Sequence, residues 1–74
     1  MQFNLTGLDL NSSNAEIMHA LVPILEKNPN VVCAESDGDE LSVAYENDDE
    51  TYYFSVESKQ ENTLSGGITV TISC

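Results

Sequence analysis

The chain has 74 residues, of which 13 are Asp or Glu and only two are Lys or Arg, so its formal net charge is −11 at pH 7. This length allows one domain, residues 1–74, with a small core. The charge opposes direct binding to nucleic acid or to an anionic membrane surface. A hydrophobic fraction of 41% predicts that the chain nevertheless folds.

The N-terminal part predicts one strand and one helix. Alternating polar and apolar residues over positions 2–6 indicate a first strand. Ser13 and Glu16 form a capping-box pattern, and we expect a helix from there to about Asn28. Pro23 lies inside this pattern and removes a backbone donor, so we expect a kink or a helix in two pieces. The apolar face of the helix consists of Ile17, Met18, Leu21, Ile24 and Leu25.

Beyond residue 30 the apolar period changes to two, which is typical of half-buried antiparallel strands. Two acidic segments, residues 36–40 and 47–50, predict turns between these strands. A polar stretch at 58–67 predicts the last connection. The predicted strands cover residues 31–35, 41–46, 51–57 and 68–73.

The resulting order, β-α-β-β-β-β, predicts an α+β fold. In this two-layer sandwich the N-terminal helix packs on a mainly antiparallel sheet of four or five strands. The covered face is predicted to consist of Leu41, Val43, Tyr45, Tyr52, Phe54, Val56, Ile68, Val70 and Ile72. The opposite, open face is predicted to carry Ser42, Ala44, Glu46, Thr51, Tyr53, Ser55, Glu57, Thr69, Thr71 and Ser73.

The usual catalytic, cofactor and metal motifs are missing from the sequence. A single histidine, His19, argues against a nucleophile–histidine pair. The Gly66-Gly67 pair lacks the lysine and helix of a phosphate loop. Placing Gly38 at the sixth position of an EF-hand loop puts Cys33 first and Ala44 twelfth, which removes two required carboxylates. We therefore expect no enzyme activity, no cofactor and no specific metal site.

The N-terminus carries neither the cationic start nor the apolar run of a secretory signal, and no apolar stretch approaches the ~18 residues of a membrane span. We expect a cytoplasmic protein, located in the host cytoplasm if the gene belongs to a phage. Reduced thiols at Cys33 and Cys74 are the expectation for that compartment, and a single disulfide between them is the alternative.

Acidity is a regional property of this chain. Ten of the thirteen carboxylates fall between Glu35 and Glu61, where Lys59 is the one base. Strand residues two apart repeat every ~6.6 Å, roughly the spacing of successive phosphates along a nucleic-acid strand. We expect this region to bind a basic surface that normally receives DNA or RNA. The candidate partner-binding residues are Glu35, Asp37, Asp39, Glu40, Glu46, Asp48, Asp49, Glu50 and Glu57.

In its length, its isolated α+β domain and its acidic stretches 35–40 and 46–50, the chain resembles a class of small inhibitors carried by phages and mobile elements. This class includes anti-CRISPR proteins and DNA mimics. The resemblance implies a stoichiometric inhibitor that occludes the nucleic-acid surface of a CRISPR effector or another nuclease. It carries no motif, so it assigns no functional residue.

Two other functions agree with the same sequence. One is an immunity protein that neutralises a basic nuclease toxin. The other is a structural interaction module with solvated acidic turns, such as a homodimer formed through edge strands at residues 2–6 or 68–73. Salt dependence distinguishes the homodimer from a protein that binds a basic partner, because electrostatic binding weakens steeply with ionic strength and the burial of a strand edge does not.

Overall fold

One helix packs on one five-stranded antiparallel sheet in the computed structural model, which describes every residue from Met1 to Cys74. The sheet order is β1-β5-β4-β3-β2. The predicted class and element order are therefore confirmed. The elements are β1 (Gln2–Leu5), α1 (Asn14–Glu26), β2 (Val31–Asp37), β3 (Glu40–Tyr45), β4 (Thr51–Glu61) and β5 (Ile68–Ser73).

The helix begins as the sequence predicts. The backbone amide of Glu16 donates to Ser13 Oγ at 3.1 Å, and the amide of Ser13 donates to Glu16 Oε1 at 3.3 Å. These two bonds satisfy amides that have no partner inside the helix. α1 continues without a break through Pro23 to Glu26, so the expected division into two pieces is wrong. Packing of the apolar face on the sheet outweighs the one lost hydrogen bond.

The core lies between α1 and the sheet, and all thirteen of its buried residues are apolar. α1 lies nearest to β2 and β3. The predicted covered face is confirmed, with six of its nine members buried and Tyr45, Tyr52 and Val56 half-buried against them. The rings of Tyr45 and Tyr52 meet edge to face, with centroids 5.7 Å apart.

β4 organises the sheet because its two halves have different neighbours. Its first half pairs with β3 over Thr51–Ser55, and its second half pairs with β5 over Ser55–Glu61. Ser55 alone has partners on both sides, Glu40 and Ser73. The β2–β3 hairpin and the β1–β5 pair therefore lie beside opposite halves of β4. This stagger gives the molecule its elongated dimensions of 39 × 22 × 15 Å.

The predicted end of β4 at residue 57 is wrong. The strand passes through a bulge between Val56 and Ser58, where Glu57 has no partner, and continues to Glu61. Lys59 then lies opposite Val70. The polar stretch of the sequence hides this continuation because backbone pairing with β5 does not require apolar side chains.

The positions of the two edge strands also correct one prediction. β5 lies between β1 and β4, so residues 68–73 form no edge of the sheet. The N-terminal strand β1 is an edge, as expected, and β2 is the other. A homodimer through the strand of residues 68–73 is therefore excluded as long as β1 stays paired.

Candidate partner-binding surface

All nine candidate partner-binding residues are exposed, and no polar or charged residue of the chain is buried. Eight of them form two groups at the two ends of β3. The hairpin cluster consists of Glu35, Asp37, Asp39 and Glu40, and the turn cluster consists of Glu46, Asp48, Asp49 and Glu50. Glu57 stands apart from both, at the bulge of β4.

The hairpin cluster surrounds a two-residue loop. Asp37 and Glu40 are paired across the strands, and Gly38 between them has φ +59°. Glycine at the first loop position with positive φ is typical of a type II′ turn, whose twist matches that of the strands. Glu35 lies two residues before Asp37 and so shares its face, which is the open face of the sheet.

No base compensates this group. Asp37 and Glu40 are like charges in directly opposite positions, an arrangement that destabilises a strand pair. Of the two lysines, Lys59 lies opposite Val70 on the covered side, with Nζ donating to the backbone carbonyl of Ser12 at 3.4 Å. Lys27 caps the far end of α1. The hairpin cluster therefore consists of four acidic residues without a basic partner.

The turn cluster connects β3 to β4 and is tied to the start of β2. The backbone amide of Glu46 donates to the carbonyl of Asn30 at 2.8 Å. Asn47 then adopts φ 65°, a left-handed conformation that asparagine tolerates better than most residues. The two sides of the cluster are thus fixed to the ends of β2 and β4.

Asp48 has a structural role within this turn. Its Oδ1 accepts the backbone amide of Glu50 at 3.0 Å, and its Oδ2 accepts the hydroxyl of Tyr52 at 2.7 Å. The bond from Glu50 and then the bond from Tyr52 lower the pKa of Asp48, and the same carboxylate raises the pKa of Tyr52. No hydrogen bond within the chain engages the carboxylates of Glu46, Asp49 and Glu50, so these three are the free carboxylates of the turn cluster.

We expect the pKa of Asp48 to rise in Tyr52→Phe, because the hydroxyl bond is lost, yet to stay below the ordinary value because the Glu50 amide remains. A depressed folded-state pKa stabilises the fold at neutral pH, and that contribution is lost as pH falls below ~4. Carboxyl titration by NMR in both proteins checks this. An unchanged pKa in Tyr52→Phe contradicts the hydroxyl contact.

The two clusters are separated along the strand and together occupy one side of the molecule. β3 has six residues, so its first and last Cα atoms lie roughly 17 Å apart, five steps of ~3.3 Å each. β1 and β5, on the other side of β4, carry no charged residue. The molecule therefore has a strongly acidic side, formed by β2, β3 and their turns. The opposite side, formed by β1 and β5, is less charged, and its nearest sheet carboxylates are Glu57 and Glu61 in the half of β4 that pairs with β5.

Sequence reasoning missed the outer edge of β2 as a feature of the acidic side. A bulge at Val32 interrupts the pairing of β2 with β3 and leaves this side chain 68% exposed. The run of residues 31–34 reads as one apolar strand, and nothing in it marks the extra residue. Cys33 beside it is exposed and is a free thiol, as is Cys74.

The surface contains no pocket, and no group of three or more His, Cys, Asp or Glu residues is arranged to hold a metal ion. The single helix has 13 residues, and none of the helical structure is long and apolar enough to cross a membrane.

No protein-family model matches the chain, and neither a curated protein nor a solved structure matches it. Its function must therefore be argued from its own surface.

Proposed function

We propose that this protein is a non-catalytic inhibitor that uses its acidic side to bind the basic surface of a nucleic-acid-binding protein or complex, such as a CRISPR effector, and blocks access of DNA or RNA. The observation that carries the proposal is the segregation of charge. Eight exposed carboxylates lie at the two ends of the β2–β3 hairpin, while β1 and β5 carry none and the half of β4 beside β5 carries two, Glu57 and Glu61.

A merely solubilising charge does not require this segregation. Carboxylates spread over the whole surface would avoid the repulsion between Asp37 and Glu40, which lie directly opposite each other in the hairpin. A local arrangement that opposes folding is expected where function demands it. Basic surfaces attract a cluster of carboxylates over long distances and bind it with little need for shape complementarity.

Two double variants with the same change in net charge test the proposal. In Asp37→Asn/Glu40→Gln two carboxylates of the hairpin cluster are neutralised, whereas Gln2→Lys/Thr6→Lys adds two positive charges at exposed positions in and just after β1. Each tagged protein is used to capture partners from host lysate at low and at high salt, with DNA as a competitor, and the partners are identified by mass spectrometry.

We expect the wild-type protein to capture a basic nucleic-acid-binding complex that is released by high salt and by DNA. Neutralising the hairpin pair should reduce this capture roughly tenfold, whereas the β1 variant retains most of it. The hairpin variant should be at least as stable as wild type, because it removes a like-charge pair. Equal loss in both variants, or none in either, would falsify the use of the acidic side. A basic nuclease toxin as the captured partner identifies an immunity protein.

A further inference from the structure

The outer edge of β2 presents unpaired backbone groups. Asp37 and Glu40 close a two-residue loop, and such a closing pair exchanges both of its backbone hydrogen bonds. Bonded and non-bonded pairs then alternate along the hairpin. Ala34 and Ser36, which lie opposite Val43 and Leu41, are non-bonded pairs by this alternation. Their amides and carbonyls therefore point away from β3. Ala34 is only 5% exposed and Ser36 is half-buried, so Ser36 is the more accessible of the two.

Nothing else in the chain takes up these groups. The backbone hydrogen bonds outside regular structure include none to Ala34 or Ser36. The one side-chain bond to β2 runs from Ser42 Oγ to the carbonyl of Glu35, at 3.3 Å. β2 is the last strand of the sheet. A row of donors and acceptors on such an edge is a template for another strand.

Acidic groups flank this edge at both ends. The hairpin cluster occupies the second half of β2 and the loop after it, and the turn cluster lies at the start of β2, because Glu46 donates to the carbonyl of Asn30. Glu35 is the member of the hairpin cluster nearest to the turn cluster along β2. The exposed Val32 offers an apolar contact near the start of the strand.

We infer that the partner supplies an extended, basic segment that adds to the sheet as a sixth strand along β2. This inference rests on the proposed function and specifies how the partner is held. Backbone pairing with Ala34 and Ser36 supplies register, and lysine or arginine side chains of the added strand meet the carboxylates at the two ends of the edge.

A second copy of this chain is a poor occupant of the edge. Antiparallel pairing of β2 with itself about Glu35 places two glutamates directly opposite each other and brings the hairpin loop of each copy toward the start of β2 in the other, where that copy's turn cluster lies, with no lysine on either strand. Like charges in opposite positions oppose such pairing. The same carboxylates that repel a copy attract a basic strand.

The test uses the synthetic peptide Lys-Val-Lys-Val-Lys-Val-Lys as a probe of stated chemistry, with its all-glutamate counterpart as control. Ser36→Pro removes one outward amide, and proline is accepted on an edge strand where that amide faces solvent. Ser36→Ala is the matched control because it removes the hydroxyl and retains the amide. Urea unfolding of both variants establishes that they are folded.

We expect Ser36→Pro to bind the lysine peptide about tenfold more weakly than Ser36→Ala, since a backbone hydrogen bond and its register are lost. In the wild-type protein the peptide should slow hydrogen exchange of the half-buried Ser36 amide, a measurement that needs no variant. The glutamate peptide should not bind.

Equal affinity of the two Ser36 variants, together with an unprotected amide at Ser36 in the presence of the peptide, overturns strand addition. The proposed function is judged separately. If strand addition is overturned but Asp37→Asn/Glu40→Gln binds the lysine peptide more weakly than the wild-type protein, the acidic side binds by charge alone. If this variant binds as well as wild type, the acidic side itself is not the binding surface.

Discussion

Gly67→Ala is expected to cost roughly 2–5 kcal/mol of folding free energy, the sum of left-handed backbone strain and overpacking. Gly67 has φ +74° in the turn between β4 and β5, and a Cβ atom at this position would overlap the carbonyl oxygen of Leu5 and lie 2.9 Å from Thr6 Cα. Both obstacles are backbone atoms of the segment that ends β1, so no rotamer change relieves them.

Gly66→Ala is the matched control, because Gly66 also has φ +74° but has open space around its Cβ position. It carries the strain of a left-handed alanine, ~1–2 kcal/mol, without the overlap. Urea unfolding followed by circular dichroism measures both, and a small domain has only ~5 kcal/mol to lose. Equal costs for the two variants mean that β1 does not pack closely against this turn.

Leu21→Ala is expected to lower the free energy of unfolding by about 2–5 kcal/mol, the range for a buried leucine that leaves a cavity. Leu21 lies in α1 with none of its surface exposed, between the helix and the sheet. Alanine is the strongest helix former, so the substitution does not weaken α1 itself. The loss of unfolding free energy therefore measures the packing of Leu21 in the core.

Leu64→Ala removes the same atoms from the turn before β5, where Leu64 is wholly exposed. A surface substitution of this kind changes stability by about 0.5 kcal/mol or less. Thermal and urea unfolding of the two variants, measured together, check the difference. Similar losses in both contradict the placement of α1 on the sheet.

Local patterns were enough to predict most of the fold. The Ser13–Glu16 pair marks the start of α1, and alternation marks the covered face of β3, β4 and β5. Each of these signals acts within one element, where helix capping and side-chain burial directly select the conformation. Pro23 does not divide α1, because a single lost hydrogen bond is small beside the packing of a whole apolar face.

The missed features depend on contacts between elements. Residues 58–61 carry no apolar alternation, so only the partner strand β5 defines them as strand. The role of Asp48 depends on Tyr52 lying four residues further along, after a turn whose shape follows from the left-handed Asn47. The density of carboxylates in the sequence predicts the candidate residues, but it does not reveal which of them accept hydrogen bonds within the turn itself, as Asp48 does.

The N-terminus emerges at the sheet edge opposite to the one proposed for the partner. The amino group of Met1 donates to the carbonyl of Ile72 at 3.0 Å, which holds it beside β5. β1 and β2 are the outermost strands, four strand spacings or roughly 19 Å apart at ~4.8 Å each. An affinity tag or a fluorophore attached ahead of Met1 thus leaves the edge of β2 unobstructed, and immobilisation through that end orients the acidic side toward the solution.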